Sequence, residues 1–343
     1  MISDGTNRRS TVLLILGLLL CFLANISAGS VHVPLEDVWQ GLIGGETSRP
    51  AYRFIILEYR LPKAITAVLT GSGLAVSGLL MQTLFRNPLA GPFVLGLSSG
   101  ASLGVAILIL GAGTFGGWLG GLLLSNWSLV LASALGSFLV LMAVLAVTLR
   151  VKDTMAILII GLMFGSVTAS VVGVLSYFSP AEQLQQYVFW SFGSLGNLSW
   201  QALGVLTLCW LFGMILAIGR IKSLNSLLLG TRYAQSMGLR VRRTTLLLIV
   251  ATSLLAGGIT AFAGPIAFVG LAVPHLTRQL VPSADHRLLL PAVVLFGAAL
   301  MLICDTIAQL PGSEFTLPIN AITSLVGAPV VIWLLVRKRK LMF

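Results

Sequence analysis

Long apolar stretches follow one another along almost the whole chain, separated by short clusters of polar and charged residues. They run near 11–29, 64–85, 92–112, 128–149, 154–178, 200–219, 244–263, 266–282, 288–310 and 316–336. A bilayer core of roughly 30 Å needs about 20 residues at roughly 1.5 Å rise each, so the pattern predicts an all-α polytopic membrane protein of about ten transmembrane helices. A single membrane domain over 1–343 is expected, with an outer segment at 30–63 and a cytoplasmic segment at 220–243. The weakest stretch is 266–282, which Pro274 and His275 interrupt and which is short for a crossing; if it re-enters, the parity of the spans breaks. Between spans, Pro34, Glu36, Asp37 and Trp39 fit a short interfacial helix. A second outer helix is expected from Ala181 to Trp190, whose aromatics suit the membrane–water belt.

Charge orients the spans. With ten crossings both termini share a side, and if that side is cytoplasmic it holds 17 of the 21 cations against Asp4, Asp153 and Asp285. The outer clusters hold Arg49, Arg53, Arg60 and Lys63 against seven acids. That bias is what the positive-inside rule demands. It also accounts for the net charge of +11 without nucleic acid, because the cations are spread over separate loops and form no stripe with interleaved aromatics. At 57% hydrophobic and 9% charged residues, the composition leaves no room for a soluble catalytic domain. Arg8, Arg9 and the run Val12–Leu23 resemble a secretory signal. We read them as an uncleaved first helix, since removal would leave nine spans and reverse the charge logic.

Candidate chemistry is sparse. Gly96-Leu97-Ser98-Ser99-Gly100 matches the nucleophile-elbow pattern but opens a transmembrane helix, without the strand–turn–helix setting that pattern needs. The three cysteines lie inside apolar spans and the three histidines in different segments, so neither disulfides nor a metal site is indicated. His275, directly after Pro274, reads as a helix-end or loop hydrogen-bonding residue. No charge sits deep in a span to serve as an ion relay, and no Walker-type phosphate loop occurs. Small residues at i,i+4 spacing, such as Gly100/Gly104 and Gly161/Gly165, predict close helix packing. In 220–243, Leu227, Leu228, Tyr233, Ala234 and Met237 form a mixed apolar face and Gly230 and Gly238 can end short helices, which fits a helix–turn–helix lying on the membrane. Proline-rich turns at 60–63, 86–92, 263–275 and 317–321 mark span boundaries or breaks.

Ordered blocks of residues carry a resemblance. They are Arg60-Leu-Pro-Lys63 with Gly71, Ser77-Gly78 and Gln82; Asn87-Pro-Leu-Ala90 with Pro92; Leu229-Gly230 and Gly238-Leu239; Gly264-Pro-Ile-Ala-Phe-Val-Gly-Leu271; Pro274-His275 and Arg278; Asp285-His-Arg287; Asp305; Leu317-Pro-Ile319; and Gly327-Ala-Pro329. Together they resemble the iron-siderophore, haem and vitamin B12 permease family (FecCD-type) of type II ABC importers, over nearly the whole chain. The resemblance implies a non-enzymatic permease in the bacterial cytoplasmic membrane, both termini inside, with ferric siderophore as first expected cargo and vitamin B12 or haem as alternatives. It implies a second permease subunit, expected to be identical, a cytoplasmic ATPase dimer carrying ATP and magnesium, an external substrate-binding protein and surrounding lipid. No cofactor or metal is expected in this chain.

By the same resemblance, Arg60, Lys63 and Arg53 are expected to meet acidic residues of the binding protein. The ATPase is expected to seat on Leu228, Gly230, Arg232, Tyr233, Gln235, Met237, Gly238 and Leu239. Gate and pathway positions are Asn87, Leu89, Asp153, Thr154, Met163, Ser166 and Asn320, with spans 154–178 and 316–336 flanking the passage. The chain departs from the family pattern at Lys63 for arginine, Gly91 for an acid, Gln309 for arginine and Asn320 for glycine. Lysine keeps the charge at 63 but loses bidentate geometry toward carboxylate. An autonomous secondary transporter is the competing class, and a membrane-embedded enzyme a third, disfavoured by the missing catalytic cluster.

Overall fold

A computed structural model describes residues 2–29, 31, 33–93, 96–111, 126–148, 154–196, 198–310, 313 and 315–336. Every regular element among them is helical: α1 (Ile2–Ser27), α2 (Leu35–Ile43), α3 (Pro50–Phe54), α4 (Leu61–Phe85), α5 (Leu97–Gly111), α6 (Asn126–Thr148), α7 (Thr154–Phe178) and α8 (Ala181–Phe192). There follow α9 (Trp200–Ile218), α10 (Ile221–Leu228), α11 (Thr231–Ser236), α12 (Val241–Thr252), α13 (Gly258–Ala263), α14 (Val269–Leu280), α15 (His286–Ala308) and α16 (Ile319–Val336). Seven helical stretches among the described residues are long and apolar enough to cross a membrane by themselves. Each of the ten expected segments contains a helix among its described residues, but the apolar helices Leu97–Gly111 and Ile319–Trp333 fall short of that length, and α14, at 12 residues, spans only about 18 Å. The expected count of ten crossings is therefore not reached by length.

The centre of the bundle is α4. π-helical turns at Ile55–Arg60 join it to α3, giving one helical stretch from Pro50 to Phe85. At 36 residues it measures about 54 Å, well beyond the bilayer core. Its sequence explains its position. Gly, Ala and Ser recur along it, and lipid supplies no hydrophobic force to bring helices together, so close backbone approach must supply dispersion contact instead. Gly78 packs on the backbone of Gly270 in α14 so closely that a β-carbon there would lie 1.6 Å from the Gly270 carbonyl oxygen. The same device joins α5 to α6, where Gly100 and Gly136 face each other's carbonyls; the spacing 100/104 read from the sequence thus finds its partner.

The peripheral helices are the reverse. In the apolar windows of α1 and α7 only 11% of residues are buried, against 89% around α4. Chain breaks follow local chemistry. Arg86 adopts φ 48° to close α4, where the Asn87 N–H bonds the Gln82 carbonyl. Asp285 caps α15 by accepting from the Arg287 N–H at 2.9 Å. Between α13 and α14 the backbone is irregular from Gly264 to Phe268, and the Asn320 side chain accepts from the freed Ala267 N–H at 3.0 Å. Such repair is what irregular backbone inside a membrane bundle requires.

Candidate functional site

At the end that charge assigns to the outside, two of the basic residues, Arg60 and Lys63, find partners within the chain. Arg60, 9% exposed, donates from Nη1 to the Ile26 and Ser27 carbonyl oxygens at 2.7 and 2.9 Å, and from Nη2 to the Val31 carbonyl. It thus caps the C-terminal carbonyls of α1, where a cation is favoured. One turn on, Lys63 Nζ stands 3.2 Å from Asp305 Oδ1, with side chains 22% and 3% exposed. Asp305 Oδ2 also accepts from Asn25 at 2.9 Å and Gln309 at 2.7 Å. Three helices, α1, α4 and α15, are pinned through one carboxylate. Arg60 and Lys63, both expected to meet acidic residues of a binding protein, thus have partners within the chain. Gln309 is a member of this cluster, which gives its departure from arginine a local role. Of the expected docking cations only Arg53 is exposed, on α3 next to exposed Arg49.

At the opposite end, α10 and α11 form two short helices separated at Gly230, whose φ of 103° is one that other residues rarely adopt. Ser223, Leu224 and Leu227 turn inward; Leu229, Tyr233 and Met237 turn outward, 62%, 55% and 60% exposed. Arg232, Gln235, Gly238 and Arg240 are exposed around them, while Leu228, Gly230 and Leu239 are half-buried. Leu229, read from sequence only as part of the Leu229-Gly230 block, is the most exposed of these apolar side chains. The segment is tied to the bundle by Asn225, whose amide meets Asp285 at 2.6 Å and His286 at 2.8 Å.

The described gate and pathway residues lie on α7, on α16 and in the turn after α4. Asn87 and Leu89 share one turn after α4, where Asn87 Oδ1 accepts from the Leu89 N–H at 2.8 Å. His275 Nε2 bonds the intervening Pro88 carbonyl at 2.8 Å, the loop hydrogen bond expected of that histidine. Asp153 lies outside the described residues, and Thr154 is described only as the first residue of α7. Met163 and Ser166 are exposed on α7, on a face continued by Ser170, Gly173 and Tyr177 at helical spacing. Asn320 begins α16 at the other end of the bundle. Among the described residues, no group of three or more His, Cys, Asp or Glu side chains is placed to hold a metal.

A buried central helix, apolar helices around it, and polar contacts serving helix joints define a multi-pass α-helical membrane protein of the permease type. The chain belongs to the FecCD transport family, whose model matches residues 17–337. It is 36% identical over 335 residues to the hemin transport system permease protein HmuU of Yersinia pestis, covering 97% of this chain and 98% of that one. It is 36% identical over 339 residues to the vitamin B12 import system permease protein BtuC of Klebsiella pneumoniae, covering 97% and 95%. In fold it is similar to a solved structure described as an inward-facing conformation of a metal-chelate type ABC transporter. The TM-score is 0.83 at 28% identity, covering 97% of this chain and all of that one. These findings make the chain an ABC importer permease.

Proposed function

We propose that this chain, paired with a second copy, forms the membrane passage of a type II importer that moves a bulky metal chelate into the bacterial cytoplasm. ATP binding in separate subunits drives the cycle. The observation that carries the ATP-driven reading is the exposed row Leu229, Tyr233 and Met237, on the side where cations accumulate, with Arg232 and Arg240 beside it. A contiguous apolar centre with a polar rim is how a protein partner is seated, and lipid alone gives no reason for the Gly230 turn that presents it. Tyr233→Asp with Met237→Asp should abolish co-purification with the cognate ATPase while the bundle still folds. Undiminished co-purification refutes the assignment.

Passage is proposed along α7, whose exposed face from Met163 to Tyr177 includes methionine, serine and glycine. A weakly polar wall suits a large ligand that must not bind tightly. Docking of the binding protein is proposed around Arg53 and Arg49, since Arg60 and Lys63 are occupied. Ferric siderophore is the first cargo we propose; the hemin and vitamin B12 named for two relatives are the second reading. Competition among the three for the neighbouring binding protein decides between them.

A further inference from the structure

Between the proposed ATPase seat and the loop after α4 runs an unbroken line of hydrogen bonds. It starts at Asn225 on α10. The Asn225 Nδ2 donates to the Asp285 carboxylate at 2.6 Å, and because a carboxylate only accepts there, the amide orientation is fixed. Its Oδ1 therefore faces His286, accepting from the backbone N–H at 2.9 Å and meeting ring Nδ1 at 2.8 Å. An acceptor at Nδ1 requires the proton to sit on that nitrogen. The other ring nitrogen, Nε2, lies 2.9 Å from Thr83 Oγ1, so in the neutral ring it accepts the threonine hydroxyl. Both His286 and Thr83 are fully buried.

Thr83 lies in the last turn of α4, and the loop grows directly from it. The Arg86 and Asn87 N–H groups bond the Thr83 and Gln82 carbonyls, and Asn87 in turn holds Leu89 and Ala90. The Arg86 guanidinium also reaches back to Gly230, lying 3.5 Å from where a β-carbon would stand.

We propose that Asn225, His286 and Thr83 are positioning residues of a serial link that makes α10–α11 and loop 86–91 move as one body, delivering partner motion to the inner end of the passage. The inference rests on the importer reading above. Each member of the hydrogen-bonded line touches the next through one side chain, and the approach of Arg86 to Gly230 runs beside it. Breaking either end breaks the whole line, which a set of independent structural contacts would not do.

The test uses the complete importer in proteoliposomes and reads cargo taken up per ATP hydrolysed for Thr83→Val, Asn225→Ala and the double variant. Each single change should lower that ratio on the order of fivefold or more, and the double should fall no further than the worse single. Wild-type ratios, or losses that multiply in the double variant, overturn the link. A wild-type complex with no ATP-dependent uptake overturns the importer reading instead. The chain alone supplies an independent arm: Asn225→Ala should speed amide hydrogen exchange in 86–91 on the order of tenfold. Unchanged exchange there overturns the link whatever the transport result.

Discussion

Replacing Asp305 by alanine removes the acceptor that α1, α4 and α15 share. Asn25 keeps two partners, the Leu302 carbonyl at 3.3 Å and Thr306 Oγ1 at 3.0 Å. Gln309, 8% exposed, is left with a buried donor, which costs about 1–3 kcal/mol. Lys63 loses its counter-ion; a fully buried pair broken this way costs about 3–5 kcal/mol, and the 22% exposure of Lys63 lets water recover part of it. The two losses share one site and do not simply add, so the expected total is about 2–5 kcal/mol. Thermal and denaturant unfolding of the purified chain in detergent measure it. The cost should largely vanish when the whole cluster is made apolar. Lys63→Met with Asp305→Leu and Gln309→Leu should unfold within about 1 kcal/mol of the parent, since well-packed apolar replacements of buried pairs are often neutral. An Asp305→Ala cost under about 1 kcal/mol would show that the cluster does not brace the helices, and loss of binding-protein affinity in the stable triple variant would return Lys63 to the docking face.

Gly78→Ala should prevent recovery of folded protein or lower its unfolding temperature sharply, because the new methyl meets backbone at Gly270 rather than a movable side chain; an unchanged transition contradicts the packing. Asp37, buried on α2, accepts from the Ser48 hydroxyl and backbone N–H, each at 2.6 Å, and these hold its carboxyl below the ordinary range. A depressed value means stability is gained above the ordinary carboxylate value and lost as pH falls through the folded one. Acid should therefore loosen 44–49 in the parent, and Asp37→Asn should be loosened at neutral pH already; identical hydrogen-exchange profiles against pH would refute this.

Much of the helix order was legible because a membrane span writes a strong signal. The expected stretch 154–178 and the helix α7 coincide, and α9 and α15 fall within two residues of expectation. The outer extension from Pro50 to Arg60 was not legible as helix, since Arg53, Glu58 and Arg60 read as a charged loop, while tertiary contact with α1 and α2 supplies the partners that make it helical. Arg60 shows the limit most plainly. Its outer position and its charge could be counted, but not whether its guanidinium turns toward solvent or toward the carbonyls 29–34 residues earlier. The link through Asn225, His286 and Thr83 left no local trace: neutral side chains 61 and 203 residues apart carry no periodicity. The Pro-His pair at 274–275 did announce a hydrogen bond, but not its partner at Pro88.

Uptake by the purified chain in sealed proteoliposomes, with and without its ATPase and binding protein, tests the central claim most directly. The account predicts that labelled chelate accumulates only with both partners and ATP. Accumulation by the chain alone, driven by a proton or sodium gradient, would contradict it.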